Sequence, residues 1–291
     1  MFLEGPLCHP RGSLGGRPSD ESELAIPQAD VAISLPILWG FPFWDQGARP
    51  PPPVNELVLS LFPGIGILDT GFEEHGFCVV RGPDLLWGGD VKNFHPPSGV
   101  FDGVIGGPPC QMFSSLTHIL RHRGYPIQEN LIPEFERIVN EARPRWFVME
   151  NVIGAPIPQT QGYMVDDTLL NNRWLGEEQN RLHRFSFGTL GETKLKYRIA
   201  LFENMRKSAR VLARGSIAIG TSGPNRLRKL GHRNRAGLRE ACRLQGLPEE
   251  MFDHSPFTVE AAHKAIGNAV ALPMARELAR AVREAITNDT I

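Results

Sequence analysis

The sequence predicts an α/β fold with a mostly parallel central sheet, and three observations lead there. Apolar runs recur at residues 57–61, 103–105 and 146–149, each too short for a helix and right for a strand buried on both faces. Each run stops abruptly, at Pro63-Gly64, at Gly106-Gly107-Pro108-Pro109 and at Glu150-Asn151. Between them lie stretches of helical spacing, at 67–75 and 131–142, the second with Ile132, Phe135, Ile138 and Val139 on one face. Strands alternating with helices build a parallel sheet covered by helical layers.

Taken in order, residues 1–54 stand apart. They hold ten of the 25 prolines, ending in the run Pro50 to Pro53, and no strand or helix period persists in them. They read as a disordered or loosely attached extension, with a Pro-rich docking segment as the alternative. The run Leu57-Val58-Leu59-Ser60-Leu61 is the first strand, 67–75 the first helix and 77–80 the second strand. Then come the strand at 103–105, the helix at 131–142 and the strand at 146–149. Between Arg206 and Arg243 there are eleven Lys or Arg and one acid, Glu240, with glycines at 215, 220, 223, 231 and 237, so much of that segment reads as loop. Residues 259–285 return to helical periodicity, broken at Gly267-Asn268 and Pro273.

The composition bounds the function. A chain of 291 residues that is 41% hydrophobic can bury a sizeable core, which excludes a collagen, a coiled coil or a wholly disordered chain. Four cysteines without a CxxC pair argue against a disulfide scaffold or a Cys-rich zinc site, and no metal site is expected. The apolar stretch at 31–44 is too short to cross a bilayer and is broken by Pro36 and Pro42, so a soluble, intracellular chain is expected. The formal net charge of -1 looks neutral toward nucleic acid. It is the sum of a strip near +10 and a remainder near -11, and that strip suits a phosphate backbone.

Four groups of residues point to chemistry. Phe62-Pro63-Gly64-Ile65-Gly66 links the first strand to the first helix, and a glycine turn at a helix start lets a ligand approach the backbone. Its GxGxxxxG spacing differs from the dinucleotide fingerprint, and a purely structural turn would look the same. Asp84, at the end of the next strand, is placed to hold a ribose hydroxyl, and Asp90 is a second acid near a strand end, although an exposed loop Asp would look no different from either. Cys110 follows Gly106-Gly107-Pro108-Pro109 just past a strand end, where open α/β sheets bind ligands. Glu150-Asn151-Val152 sets a carboxylate at another strand end, which is costly without a partner or a task. Gln179-Asn180-Arg181-Leu182-His183-Arg184 is polar and cationic.

As an ordered set, these residues resemble the DNA (cytosine-5) methyltransferase family from Glu56 to the end of the chain. FPGIGILDTGFEEHGF is similar to the family's cofactor loop, GGPPCQMFS to its nucleophile motif and ENV to its acid motif. QNRLHR is similar to its basic motif, RAGLREACRLQGLP to the segment that resumes the catalytic domain, and AIGNAV to the last motif. The resemblance implies a Rossmann-like S-adenosylmethionine-dependent domain with a small basic target-recognition region. It divides the chain into a catalytic part at 55–187, a recognition region at 188–234 and a C-terminal catalytic part at 235–291. It also implies a reaction in which a cytosine is flipped out of the duplex, Cys110 adds to its C6, and C5 takes the methyl group. Glu150 would hydrogen-bond N3 and the exocyclic amine, and Arg181 and His183 would support the site. S-adenosylmethionine would be held by Phe62, Gly64, Gly66, Asp84, Asp90, Pro109 and Asn268. Nucleic acid would be held by Ser114, Arg226, Arg228, Lys229 and Arg233.

Four departures from the family pattern matter. Its basic motif is QxRxR, whereas here the second arginine position is His183, with Arg184 next to it. Pro63 stands where a small polar residue is usual, and Asp84 is one position off and an Asp where the family has Glu. The recognition region is short, which suggests a short or loosely read target. The expected partner is double-stranded DNA, bound by a monomer in a bacterial or phage cytoplasm near the nucleoid, with a cognate restriction endonuclease as a candidate companion. A tRNA cytosine-5 methyltransferase and a catalytically silent DNA-binding relative are the alternatives.

Overall fold

The computed structural model describes residues 56–113, 122, 129–200 and 235–288, together with three strands between 209 and 230. The Pro-rich segment 1–54, Ser114, Arg226 and Arg233 lie outside the described residues. A six-stranded sheet forms the centre. Its strands are β1 (Leu57–Leu61), β2 (Cys78–Arg81), β3 (Gly103–Gly106), β4 (Trp146–Asn151), β5 (Met164–Asn171) and β6 (Leu182–Thr189), in the order β2-β1-β3-β4-β6-β5. The first four are mutually parallel, while β6 runs antiparallel to both β4 and β5. The mostly parallel α/β sheet expected from the sequence is therefore present.

The helices cover the two faces as the apolar pattern requires. Helix α1 (Ile67–Glu73) follows β1, and α2 (Ile132–Ala142) precedes β4. Leu59, Leu61, Val104, Phe147 and Met149 pack against Ile132, Phe135, Ile138 and Val139 of α2. The alternate residues of the same strands, Val58, Ile105, Trp146 and Val148, pack on the other face with Phe72 of α1. That second face is completed from the end of the chain. Three helices lie in this part of the chain: α3 (Arg235–Leu244), α4 (Val259–Asn268) and α5 (Leu272–Asn288). Met274, Ala275, Leu278 and Val282 of α5 join the core formed by Val58, Phe72 and Trp146. Pro273 sits in the first turn of α5, where its missing N–H matters least, so it starts this helix.

Two elements differ from the sequence expectation. The antiparallel pair β5/β6 carries no continuous apolar run, because Asp166, Asp167 and Thr168 interrupt β5. Those polar groups are matched inside the fold: Ser186 Oγ donates to Asp167 at 2.9 Å and the Leu195 amide to Asp166 at 3.1 Å. The basic segment, expected to be mostly loop, contains a second sheet of β7 (Ala209–Leu212), β8 (Ser216–Gly220) and β9 (Leu227–Leu230), all antiparallel. Its strands are four or five residues long and interleaved with glycine, which hides them from a period-2 reading. Among the described residues, no helix is long and apolar enough to cross a membrane.

The contact between α1 and α5 is unusually close. A Cβ placed on Gly71 would lie 2.6 Å from the backbone carbon of Ala275. Gly71→Ala should therefore force the two helices apart and destabilise the domain by about 1–3 kcal/mol, as overpacked cores do. A lower urea midpoint with an unchanged denaturant slope is the expected result, and an unchanged midpoint would refute it.

Candidate active site

The site lies where β3 and β4 end side by side. β3 runs into Gly107-Pro108-Pro109-Cys110, and a 3-10 turn, Gln111–Phe113, follows. The turn is pinned from the neighbouring strand: the buried Asn151 donates its side-chain amide to the Pro108 carbonyl at 3.1 Å. This fixes where the two prolines lead and so where the Cys110 thiol sits. Asn151 was singled out in the sequence only as part of its motif, and its anchoring task needs the strand pairing to be seen. Cys110 is a free, partly exposed thiol. Burial pushes its pKa up, the nearby Glu150 carboxyl pushes it further, and the Arg181 guanidinium opposes both.

Glu150 is the next-to-last residue of β4, with its side chain about one-eighth exposed. It fits because Gly107 has no side chain: a Cβ there would lie 2.7 Å from Glu150 Oε2. The other carboxylate oxygen, Oε1, is in direct contact with Nδ1 of His183, itself nearly buried. Strand alternation explains why His183 and not Arg184 meets Glu150. In the β4/β6 ladder Glu150 faces Phe185, so His183, two residues away, shares that face while Arg184 takes the other. Arg184 pairs through Nε with Asp167 at 3.1 Å and donates to the Ala155 carbonyl. The sequence left this choice open, and β6 settles which side chain touches the carboxyl.

Arg181 stands just before β6 and is partly buried. It donates to the carbonyls of Ala269 at 2.6 Å and Gly267 at 3.1 Å, so the Ala265-to-Val270 segment holds the guanidinium in place. Burial lowers its pKa, while Glu150 and Cys110 favour its charged form. Cys110, Glu150, Arg181 and His183 thus form one cluster drawn from β3, β4 and β6. Asn268 lies between the two carbonyls that receive Arg181, at the exposed end of α4.

A second cluster surrounds the turn between β1 and α1. Gly64 and Gly66 take positive φ of 56° and 77°, which suits glycine. Phe62 also has a positive φ, 56°, which is rare for an aromatic residue and places strain at this turn. The Asp84 carboxylate accepts the Gly64 amide at 2.9 Å and the Leu86 amide at 2.7 Å, while Trp87 Nε1 donates to the Gly64 carbonyl at 2.7 Å. Phe62, Gly64, Gly66 and Asp84 therefore belong to one turn. Asp90 is exposed and accepts the Lys92 amide at 3.0 Å, starting the short turn Val91–Asn93. Pro109 is half-buried beside Cys110.

Sequence reasoning missed what lies beneath this turn. Ser60 Oγ donates to the fully buried Asp69 at 2.5 Å, and Arg81 Nε donates to its other oxygen at 2.8 Å. Burial raises the Asp69 pKa, and the hydrogen bond from Ser60 and the charge of Arg81 work against that. An acid in the first turn of α1 was the available signal. Of the basic candidates, Arg228 and Lys229 lie on β9, opposite Ile219 and Ala218 of β8.

A family model described as C-5 cytosine-specific DNA methylase matches residues 89–207 and, overlapping them, 157–284. The Type II methyltransferase M.NgoPII of Neisseria gonorrhoeae is 29% identical over 175 residues, 48% of this chain and 50% of its own. The Type II methyltransferase M.FnuDI of Fusobacterium nucleatum is 36% identical over 119 residues, 33% of this chain and 32% of its own. The chain thus spans half or less of the length of these curated relatives. Among solved structures, a DNA modification methyltransferase encoded within an E. coli prophage superposes with a TM-score of 0.53 at 17% identity, over 80% of this chain and 99% of that one. The S. pombe Dnmt2 methyltransferase superposes with a TM-score of 0.52 at 13% identity, over 79% of this chain and 98% of that one. At these identities the two structures share the fold.

The electrostatics around Cys110 give a test that needs no substrate. Because burial raises its pKa, alkylation of Cys110 should be slow near neutral pH and accelerate as pH rises. Arg181→Ala removes the one opposing charge, so it should move the midpoint of that rise to higher pH. Peptide mass spectrometry after iodoacetamide pulses resolves Cys110 from the exposed Cys78. A midpoint that stays put or falls in the variant would show that Arg181 does not act on the thiol.

Proposed function

The chain belongs to the C-5 cytosine-specific DNA methylase family, and on that footing we propose that it transfers a methyl group from S-adenosylmethionine to C5 of cytosine in DNA. The observation that supports this most directly is the meeting of a thiol and a carboxyl at the ends of adjacent strands, with a guanidinium and an imidazole behind them. C5 of cytosine is a poor nucleophile until C6 is saturated, so an enzyme for this reaction needs an addition step first. Cys110, as thiolate, forms a bond to C6 while the ring electrons move toward N3. Glu150 supplies the proton that N3 then takes up, which requires the carboxyl to hold a proton in a poorly solvated place. After methylation, loss of the C5 proton and cleavage of the S–C6 bond restore the thiolate. The target base must leave the stack to meet Cys110, so base flipping belongs to the proposal.

The turn between β1 and α1 fits the methyl donor. No atom lies within 4 Å of the place where a side chain on Gly64 would begin, so the backbone is open to approach there. The Asp84 carboxylate stands beside that opening, and the exposed faces of Leu85 and Trp87 offer apolar surface for a purine. Phe62, Gly64, Gly66, Asp84, Asp90, Pro109 and Asn268 are the proposed contacts. The bound donor supplies an electrophilic methyl group, and the protein's part is to hold it still and keep water away. We assign 55–187 and 235–291 to the catalytic part and 188–234 to target recognition. The packing of α5 on α1 and β1 supports joining the first two. Duplex DNA is the proposed substrate and a cognate endonuclease a proposed companion.

Labelled S-adenosylmethionine, offered with duplex DNA or with tRNA, tests the reading. The intact protein should label DNA, and Cys110→Ser should lower transfer by at least about a thousandfold. Labelling of tRNA alone would move the substrate to RNA, and no labelling of either would overturn the assignment. The basic strip has its own test. Replacing Arg228 and Lys229 by Ala should reduce the slope of log affinity against log salt by about 2, read by fluorescence anisotropy on a short duplex. An unchanged slope would remove these residues from the phosphate grip.

A further inference from the structure

We propose that Gln245 is a positioning residue for the Cys110 site: from the end of α3 it clamps the junction between α4 and α5, whose carbonyls hold the Arg181 guanidinium. As a statement about catalysis this rests on the methyltransferase reading, in which Cys110 attacks as a thiolate. Gln245 lies in RAGLREACRLQGLP, a segment to which neither the cluster around Cys110 nor the turn at Gly64 gives a task. The residue is wholly buried. Its side-chain Nε2 donates to the Ile266 carbonyl, in the last turn of α4, at 3.0 Å. Its own backbone carbonyl accepts the amide of Leu272, at the start of α5, at 2.9 Å. Because the partner at Ile266 is a carbonyl, the side-chain amide can face it only with its nitrogen. The next residue closes the same clamp: Gly246 has a φ of 72°, and a Cβ on it would lie 2.8 Å from Pro273 Cδ.

The stretch 267–271 is thus held at both ends by one short piece of chain. It contains Gly267 and Ala269, whose carbonyls accept Arg181 at 3.1 Å and 2.6 Å. The Ala269 amide donates to the Ala265 and Ile266 carbonyls at 3.2 Å each, so the Ile266 oxygen shares its two lone pairs between Ala269 and Gln245. Gln245 has a firm base, since Leu238, Ala241, Cys242 and Leu244 of α3 pack with Ala262 and Ile266 of α4. Carbonyls at the end of a helix have no partner further along it, so outside ties decide where they point. The donors of a guanidinium are set in a rigid fork, and the group goes where its acceptors are. If the junction swings, Arg181 follows it.

The effect on the nucleophile is electrostatic. Around Cys110 stand Glu150 from β4 and Arg181 from the entry to β6, with His183 in contact with Glu150. Burial and Glu150 raise the Cys110 pKa, and Arg181 opposes them. A guanidinium that drifts from its place opposes them less, because the attraction falls with distance and with contact with water. Loss of the Gln245 tie should therefore leave less of Cys110 ionised at a given pH. Gln245→Met keeps the length of the side chain and removes its polar end. It also removes Oε1, which has no hydrogen-bond partner among the described residues. One hydrogen bond and one unpaired buried acceptor are lost together, so the variant should still fold.

Iodoacetamide pulses across pH, read by peptide mass spectrometry at Cys110, test this in the intact protein, Gln245→Met, Arg181→Ala and the double variant. Gln245→Met should raise the midpoint of Cys110 ionisation by about half a pH unit, so that alkylation near neutral pH slows about threefold. In the Arg181→Ala background it should move the midpoint no further, because the guanidinium through which it acts is gone. A midpoint unmoved in Gln245→Met, or moved equally in both backgrounds, would overturn the proposal. A residue that only stabilised the fold would give one of those two results. Should Gln245→Met not fold, Gln245→Asn, whose amide is too short to reach Ile266, is held to the same outcomes. Transfer from labelled S-adenosylmethionine to duplex DNA separates the proposal from the reading beneath it. With the intact protein active, kcat should fall about threefold in Gln245→Met, and an unchanged kcat would remove Gln245 from catalysis. No transfer by the intact protein would overturn the methyltransferase reading instead, and the alkylation series would still decide whether Gln245 acts on the thiol.

Discussion

A carboxylate buried at the end of a strand has to be matched by its surroundings, and the matching of Glu150 explains why four separate segments of this chain meet. One oxygen needs space, and Gly107 gives it by lacking a side chain. The other needs a donor, and His183 stands against it. Arg181 sets a guanidinium near it from the entry to β6. Arg181 in turn would be intolerable there without acceptors, since a buried guanidinium lacking partners is expensive. The Gly267 and Ala269 carbonyls supply them, at the point where α4 gives way to α5. The break in helical periodicity near Gly267-Asn268 is thus a structural requirement: carbonyls inside a continuous helix would be engaged with their own turn.

The turn that opens α1 follows the same logic with backbone groups. Gly66 N–H pairs inside the turn with the Pro63 carbonyl at 2.8 Å, while the Gly64 amide and carbonyl are held from outside it. Asp84 takes the Gly64 and Leu86 amides, and Trp87 donates to the Gly64 carbonyl. Under the turn, Asp69 ties β1 through Ser60 to the end of β2 through Arg81. Both acids bind to their own protein here, and Asp69 has no surface left for a ligand. Phe62 keeps its left-handed backbone because both sides of the turn are fixed in this way. A strained residue between two pinned points is preorganised, and a ligand that needs this shape does not have to create it.

Much of the fold was legible in the sequence because it depends on local patterns. The apolar runs of β1, β3 and β4 and the striped face of α2 have no polar interruption, so their period announces them. The pair β5/β6 was not legible, because its polar residues are matched across the ladder: Ser186 to Asp167, and Arg184 to Asp167. Such matching is invisible to a reading that scores each residue alone. For the site, Cys110 and Glu150 could be found because each follows a strand end. Choosing between His183 and Arg184 required the register of β6 against β4, which no spacing within the motif contains. Asp69 stayed hidden for a related reason, since its partners lie on two different strands.

The direction of β6 has a further consequence. In an all-parallel sheet every strand begins at the edge opposite to that where its neighbours end. Residues at the start of a parallel strand beside β4 would lie a full strand length from Glu150. Because β6 runs antiparallel, its start lies beside the end of β4, and Asn151 pairs with Arg184. This reversal brings Arg181 and His183 to the edge where β3 has already delivered Cys110. Thiol, carboxyl, guanidinium and imidazole therefore share one end of the sheet, although the chain reaches them in segments up to some seventy residues apart. A single antiparallel strand in an otherwise parallel set is what lets the basic motif precede its strand and still meet the acid that follows another.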